Sequence, residues 1–394
     1  MGSLGIAKRQ LGPVVSPQRH SSSSSAYAAA LVVLVAALLL VGLLMVYSAS
    51  YARAYDQTGD PNFFVKRQLT AAAVGLFLFA VCALVPAQRW MSFDVLLLGV
   101  SLVLVLATLI PGVAVGSRWI RLGPINFQPT EMLKVSLIIY LAASLCRRRD
   151  RVHEFSQGVL PHLLVAASAA MLSIKQPDFG MALMFLSITY FLLFAGGARL
   201  EHLLATVLAA APPLLLLMVA APYRRARLLS FLDPFGDAAN GGYQTIQSLV
   251  SLGSGGVWGR GIGGGVEKLG YLPAAHTDFI FSVVGEELGI VGTFFIVAGF
   301  ILLGYLGIRI AMQAADRFSS LLAAGITFTL CTQALLNVGV AVGVLPVTGL
   351  TLPFISYGGS SLLASLAMAG MLVSVGKTTT RGGVHDQRAG LRRR

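Results

Sequence analysis

Runs of about 20 apolar residues, broken by short polar clusters rich in proline, glycine and charge, recur along almost the whole chain. A helix needs about 20 residues to cross the hydrocarbon core of a bilayer, so windows of this length predict membrane spans rather than core helices of a soluble domain. Ten windows are read, near 26–48, 67–86, 92–111, 128–146, 158–174, 179–197, 202–221, 279–310, 319–341 and 355–376. The pattern predicts an all-α polytopic membrane protein: one ten-helix domain over 26–376, between a disordered tail over 1–25 and a basic disordered tail over 377–394. Ala26 to Val46 is too long for a signal-peptide apolar region of about 7–15 residues, so it reads as an uncleaved first helix. Lys175 to Asp178 alone separate the fifth window from the sixth, and the eighth is over-long and begins with acids.

Between the seventh and eighth windows lies a large Gly-rich external loop, 222–277, with 12 glycines in 56 residues. Such a segment cannot build its own core. It is expected to lie against the bundle, with a re-entrant helix near Tyr243 to Leu252, because irregular backbone at membrane depth is tolerated only where it is buried or lines a wet cavity.

Composition agrees with the pattern. Hydrophobic residues make up 56% and charged residues 11%, against about 25% charged in soluble domains, which excludes an ordinary soluble enzyme. The net charge of +13 is not a nucleic-acid footprint, since no basic stripe interleaves with stacking aromatics. It follows the positive-inside rule instead: placing both termini in the cytoplasm puts 17 Lys and Arg on that side and 11 on the other. Cys82, Cys146 and Cys331 lack paired spacing, so neither a disulfide framework nor a zinc site is expected.

A charge at the bilayer centre costs about 2.5–3.5 kcal/mol on insertion scales, so acids within or beside spans are functional candidates. Glu131, Asp178, Asp278, Glu286 and Glu287 all approach the outward half of the ten-span arrangement. Glu131 and Lys134, three apart on one helix face, form either a structural ion pair or an anion site in which Glu131 fixes Lys134. Arg118 and Arg121 are either receptors for phosphate or anchors for lipid headgroups. Asp278, at the entrance of the eighth helix, is either a capping acid or a general base. Glu286 and Glu287 suit helix-interface anchors, and His162 and His202 suit satisfied structural residues. Gly259 to Gly264 satisfies G-x-G-x-x-G but follows no strand, so it does not predict a dinucleotide site. Gly349 to Ser361 reads equally as a packing surface or a ligand-facing turn.

Four motifs in order resemble the SEDS proteins (shape, elongation, division and sporulation), over roughly 26 to 376. They are Gly116-Ser117-Arg118-Trp119-Ile120 with Phe127-Gln128-Pro129-Thr130-Glu131; Gln176-Pro177-Asp178-Phe179-Gly180; His276-Thr277-Asp278-Phe279-Ile280-Phe281 with Gly285-Glu286-Glu287-Leu288-Gly289; and Leu352-Pro353-Phe354-Ile355-Ser356-Tyr357-Gly358-Gly359-Ser360. The last two look more like the cell-division branch, FtsW, than the elongation branch, RodA. The resemblance implies a ten-span peptidoglycan glycosyltransferase that polymerises lipid II at the outer face of the cytoplasmic membrane during septal cell-wall synthesis. Its implied partners are a class B penicillin-binding protein transpeptidase and other division proteins. It places the catalytic residue on Asp278 and substrate-binding roles on Arg118, Gln128, Glu131, Lys134, His276 and Thr277. No cofactor is required by the pattern, although a divalent metal, Mg or Mn, would suit the departing pyrophosphate. One departure is Ala274, where members commonly carry an acid after Leu-Pro. A lipid II flippase and a non-catalytic division scaffold are the rival readings. A flippase usually pairs broken helices in two related halves, and here the Gly-rich element occurs once.

Overall fold

The computed structural model describes residues 18–122, 125–220, 225, 229–237 and 241–391. Its helices are α1 (Gln18–Thr58), α2 (Phe63–Leu84), α3 (Asp94–Ala107), α4 (Pro129–Arg147), α5 (Leu160–Lys175), α6 (Phe179–Ala195), α7 (Leu200–Ala220), α8 (Tyr243–Ser254), α9 (Ile280–Met312), α10 (Arg317–Ala341) and α11 (Gly359–Leu391). A single turn, Ala87–Trp90, and a 3₁₀ turn, Met91–Phe93, lead into α3. Every one of the ten predicted windows falls on a helix. Among the described residues, eight helices are long and apolar enough to cross a membrane, and α6 is a shorter apolar helix of 17 residues. The helix α7 fills the seventh window and carries Pro212 and Pro213 inside it.

The core of the bundle is α4, α10 and the apolar part of α11, which are the most enclosed helices. Around them α2 and α1 pack on α11, α1 and α10 on α9, α5 on α6, and α3 on α4. Outward-facing side chains such as Phe77, Val103, Phe294 and Ile301 remain exposed on the bundle surface, as an apolar solvent requires. Buried polar side chains meet one another between helices: Ser101 Oγ lies 2.6 Å from Ser136 Oγ, and Ser24 Oγ donates to the Gly376 carbonyl at 3.0 Å.

Several expectations change. The helical membrane class stands, with one addition: β1 (Ala114–Val115), β2 (Trp119–Leu122) and β3 (Ile125–Phe127) form a small antiparallel meander between α3 and α4. Its strands are only two to four residues long, too short for period-2 alternation to show beside span-length windows. Positive φ at Gly116 (61°) and Ser117 (57°) turns β1 back into β2 and sets Arg118 at the hairpin end. The tails also differ: α1 already begins at Gln18 and α11 runs on to Leu391, since a helix nucleated in the bundle propagates at the cost of one residue per bond. Residues 1–17 and 392–394 of those tails, and 221–224, 226–228 and 238–240 around the loop's predicted start, lie outside the described residues. The last span starts at Gly359, because 355–358 belong to a turn.

The over-long eighth span is explained by a break. Gly289 has φ 67° and ψ −163°, so two helices meet inside α9. There the backbone pairs with the loop instead of with itself: Arg260 N donates to Glu286 O at 2.9 Å, Gly261 N to Glu287 O at 3.0 Å, and Ile290 N to Gly256 O at 3.0 Å. Only glycine adopts that conformation without strain of order 1–3 kcal/mol, and an added Cβ at 289 would run into the Val257 carbonyl and the Gly259 amide. Gly289→Ala is expected to lower the thermal unfolding temperature of the purified protein and to reduce its monodisperse yield. An unfolding temperature equal to wild type would show that the break is not a constraint.

Candidate functional site

Glu286 and Glu287 are fully buried in the first half of α9, where an unpaired carboxylate is costly. The Gly-rich loop supplies the partners. Arg260 reaches Glu286 at 3.2 Å, and Val266 N donates to the same carboxylate at 2.7 Å. Lys268 and Ser48 of α1 bond Glu287 at 2.5 and 2.7 Å, and Gly263 N donates to it at 3.0 Å. These acids are therefore loop anchors rather than contacts between helices alone. A helix, α8, does form near Tyr243 to Leu252, joined to α9 through Ser248 and Ser282, 2.6 Å apart.

Once clamped, the loop delivers residues 270–279 as consecutive turns at the entrance of α9. Thr277 N and its hydroxyl both donate to the Ala274 carbonyl, at 3.0 and 3.1 Å, so the site of the missing acid is a tight turn, with Ala274 at φ 55°. The turn is backed by 351–358: Tyr357 N donates to His276 O at 2.9 Å, and Ser356 Oγ to Thr277 O at 2.6 Å. Phe279 is the N-cap residue of α9, and Asp278 stands one position before it.

Asp278 lines a cavity of about 530 Å³ together with Thr277, Arg67, Gln68, Arg118, Gln128, Glu131, Asp178 and Tyr357. Residues at the starts of α4, α6, α9 and α11 line it, together with Arg67 to Ala71 from the second and third turns of α2. The dipoles of the helices that start there favour negative charge. Gln128 is the N-cap of α4; its backbone N–H is held by Ser360 Oγ at 2.9 Å, and its side-chain amide donates to Asp178 at 3.3 Å. Asp178 caps α6 by accepting from Met181 N at 3.2 Å. Burial raises its carboxyl above the ordinary carboxylate value, against the opposing pull of Arg118 3.8 Å away.

Of the predicted site residues, Arg118, Gln128, Glu131, Thr277 and Asp278 share this cavity. Two do not line it. Lys134 is fully buried behind Glu131, paired with it at 2.5 Å and donating to Gln333 Oε1 at 2.7 Å, so the geometry gives it the ion-pair role and not direct substrate contact. His276 is packed between Phe64 and Tyr357, with ring centroids 4.8 and 5.5 Å away. Burial, aided by Arg53, depresses its pKa to about 4, so at neutral pH it is uncharged. Arg118 spends part of its donor set on the α5–α6 turn, through Gln176 O at 2.7 Å and a short bond to Pro177 O. Sequence reasoning missed Arg67, Tyr357 and the α10 amides Gln333 and Asn337. The amides did leave a signal: two strong hydrogen-bonding side chains four apart within an apolar span.

Among the described residues no three His, Cys, Asp and Glu side chains cluster as a ready ligand set for a divalent metal. Glu131 and Asp178 face the cavity, but each already has a cationic partner, Lys134 and Arg118. All three cysteines are free.

Removing one partner of a buried pair leaves a charge without compensation, at a cost on the order of 3–5 kcal/mol. Lys134→Met is therefore expected to lower the unfolding temperature sharply, and Lys134→Met with Glu131→Gln to recover much of the loss. A double variant no more stable than the single one would show that Lys134 does not serve to neutralise Glu131.

Three comparisons bear on this arrangement. Over 338 residues, 85% of this chain and 89% of the relative, the sequence is 43% identical to the probable peptidoglycan glycosyltransferase FtsW of Trichlorobacter lovleyi. It is 39% identical over 341 residues, 86% of this chain and 93% of the relative, to stage V sporulation protein E of Bacillus subtilis. The fold is similar, with a TM-score of 0.73, to a chain solved in work described as structural coordination of polymerization and crosslinking by a peptidoglycan synthase complex, at 32% identity over 88% of this chain and 97% of that one. It is also similar to the rod shape determining protein RodA of Thermus thermophilus, with a TM-score of 0.64 and 30% identity over 88% of this chain and 96% of that one. Residues 29–381 match the FtsW, RodA and SpoVE family of cell cycle proteins, and the chain belongs to that family.

Proposed function

We propose that this membrane protein is a peptidoglycan glycosyltransferase of the FtsW type, which polymerises lipid II with Asp278 as general base. The activity rests on relatives at 43% and 42% identity that bear that name over 85% of the chain. The observation that carries the site assignment is that Asp278 lines one cavity with Arg67 and Arg118, beside the starts of α4, α6 and α11. Lipid II carries its sugar α-linked to pyrophosphate and the glycan is β-1,4-linked, so a single displacement with inversion is the shortest route. The acceptor 4-hydroxyl oxygen bonds to the donor anomeric carbon as that carbon's bond to the pyrophosphate oxygen breaks. Asp278 takes the hydroxyl proton, and the undecaprenyl pyrophosphate leaves with the bonding pair. Charge developing on the leaving group meets Arg67, Arg118 and the helix N-termini. Glu131, held by Lys134, and Asp178, held by Arg118 and Gln128, are the cavity's other carboxylates.

The positive-inside distribution supports an arrangement with both termini cytoplasmic and this cavity on the outer face, where the helices α2, α4, α6, α9 and α11 would all begin. A septal location and a class B penicillin-binding protein partner accord with the FtsW relatives and with the similar chain's place in a synthase complex.

A positioned base contributes about 10²–10⁴-fold to rate. Asp278→Asn, which preserves size, is expected to lower glycan polymerisation from labelled lipid II by that factor, assayed with the transpeptidase partner present, while the variant keeps wild-type unfolding behaviour. Undiminished glycan ladders would reject Asp278 as the base. Exchange of lipid II between leaflets without ladders from the wild-type protein would favour transport.

A further inference from the structure

Gln333 and Asn337 lie four apart on α10, so they share one face of that helix. Both are essentially without exposure, toward the C-terminal end of the span. A leucine at either position would satisfy the apolar packing, so the amides must answer some other demand. Their bonds identify it. The Asn337 side-chain amide donates to the Asp278 carbonyl and to the Leu350 carbonyl, each at 2.8 Å. One NH₂ group thus ties the turn that bears Asp278 to the turn that runs beneath it. Four residues earlier, Gln333 accepts from Lys134 Nζ at 2.7 Å and donates to the Thr351 carbonyl at 2.9 Å. Lys134 in turn holds Glu131 at 2.5 Å.

The two amides therefore reach the Asp278 turn and the Lys134–Glu131 pair, both at the cavity wall, from one helix. The joining turn also passes beside the carboxylate: Gly349 has φ 77°, and a Cβ there would lie in ordinary contact, 3.9 Å, with Asp278 Oδ2. A side chain at 349 would face both a strained backbone and the carboxylate itself.

We infer that Asn337 and Gln333 are positioning residues for the transfer: Asn337 fixes the backbone that presents Asp278, Gln333 fixes the Lys134–Glu131 pair, and α10 thereby sets the separation of the two. This rests on Asp278 being the base. A positioning role differs from a purely structural one in what it changes. A structural amide alters how much protein folds, whereas a positioning amide alters turnover in each folded molecule, because a displacement of about 1 Å at a reacting group can cost about 10²-fold.

The test uses the full-length protein with its transpeptidase partner, labelled lipid II as substrate, and rates normalised to monodisperse protein. Asn337→Ala is expected to lower kcat by about 10- to 100-fold with the lipid II KM within about twofold of wild type. Asn337→Ser, which keeps one donor, should fall between, and Gln333→Met should lower kcat by about tenfold or more. Should Asn337→Ala not be recovered folded, the serine variant carries the comparison. A normalised kcat within about twofold of wild type for Asn337→Ser and Gln333→Met would overturn the inference, as would a rise in KM at constant kcat. Asp278→Asn is run alongside. If that variant is inactive while the amide variants are fully active, positioning fails and the base assignment stands; if it is itself active, the base assignment fails.

Discussion

A charge buried at membrane depth has to find a partner within the protein, and in this chain that requirement shapes the backbone. Glu286 and Glu287 sit at zero exposure in α9. They draw in Arg260, Lys268 and three loop amides, at Gly263, Val266 and Glu267. Only a glycine-rich segment follows the helix that closely, and only a glycine at 289 lets the helix open to receive it. With 255–269 pinned, the turns that follow have little freedom, and Asp278 arrives at the cavity wall by construction. The loop's composition, its anchors and the place of the proposed base are one arrangement seen at three scales.

The same requirement sorts the remaining charges. Lys134, which by spacing alone suits an anion site equally well, is consumed by Glu131 and Gln333. His276, beside the reacting turn, is stripped of its charge by burial and serves as an aromatic wedge between α2 and the 351–358 turn. What faces the cavity with positive character is then Arg67, Arg118 and the helix N-termini, a set suited to a diphosphate leaving group. Neutralising charge in the interior and stabilising charge in the cavity are thus assigned to different residues.

Much of this was legible from the chain. Span-length windows located every helix they named, because exclusion of water from the backbone leaves helices as the way for such segments to cross. Convergence of the five acids was also correctly placed: Glu131, Asp178 and Asp278 share the cavity, while Glu286 and Glu287 anchor the loop beside it. Spacing along one helix did not reveal which of two paired charges faces the substrate, as Lys134 shows, nor could the strands at 114–127 compete with an apolar signal several times their length. Arg67 lay hidden at a span boundary, where an arginine reads as a headgroup anchor. Gln333 and Asn337 became meaningful only when tertiary structure brought Lys134, Thr351, Leu350 and Asp278 to the same helix face.

The central claim is that the carboxylate at 278 sits in a polar cavity reached from outside the cell. Cysteine accessibility tests it most directly. Asp278→Cys, in a protein with Cys82, Cys146 and Cys331 replaced by alanine, is treated with a membrane-impermeant maleimide in intact spheroplasts, with Arg149→Cys as the cytoplasmic control. The account predicts labelling at 278 without permeabilisation, and labelling at 149 only after it. Labelling at 278 that appears only after permeabilisation, or that fails even in detergent-solubilised folded protein, would contradict it.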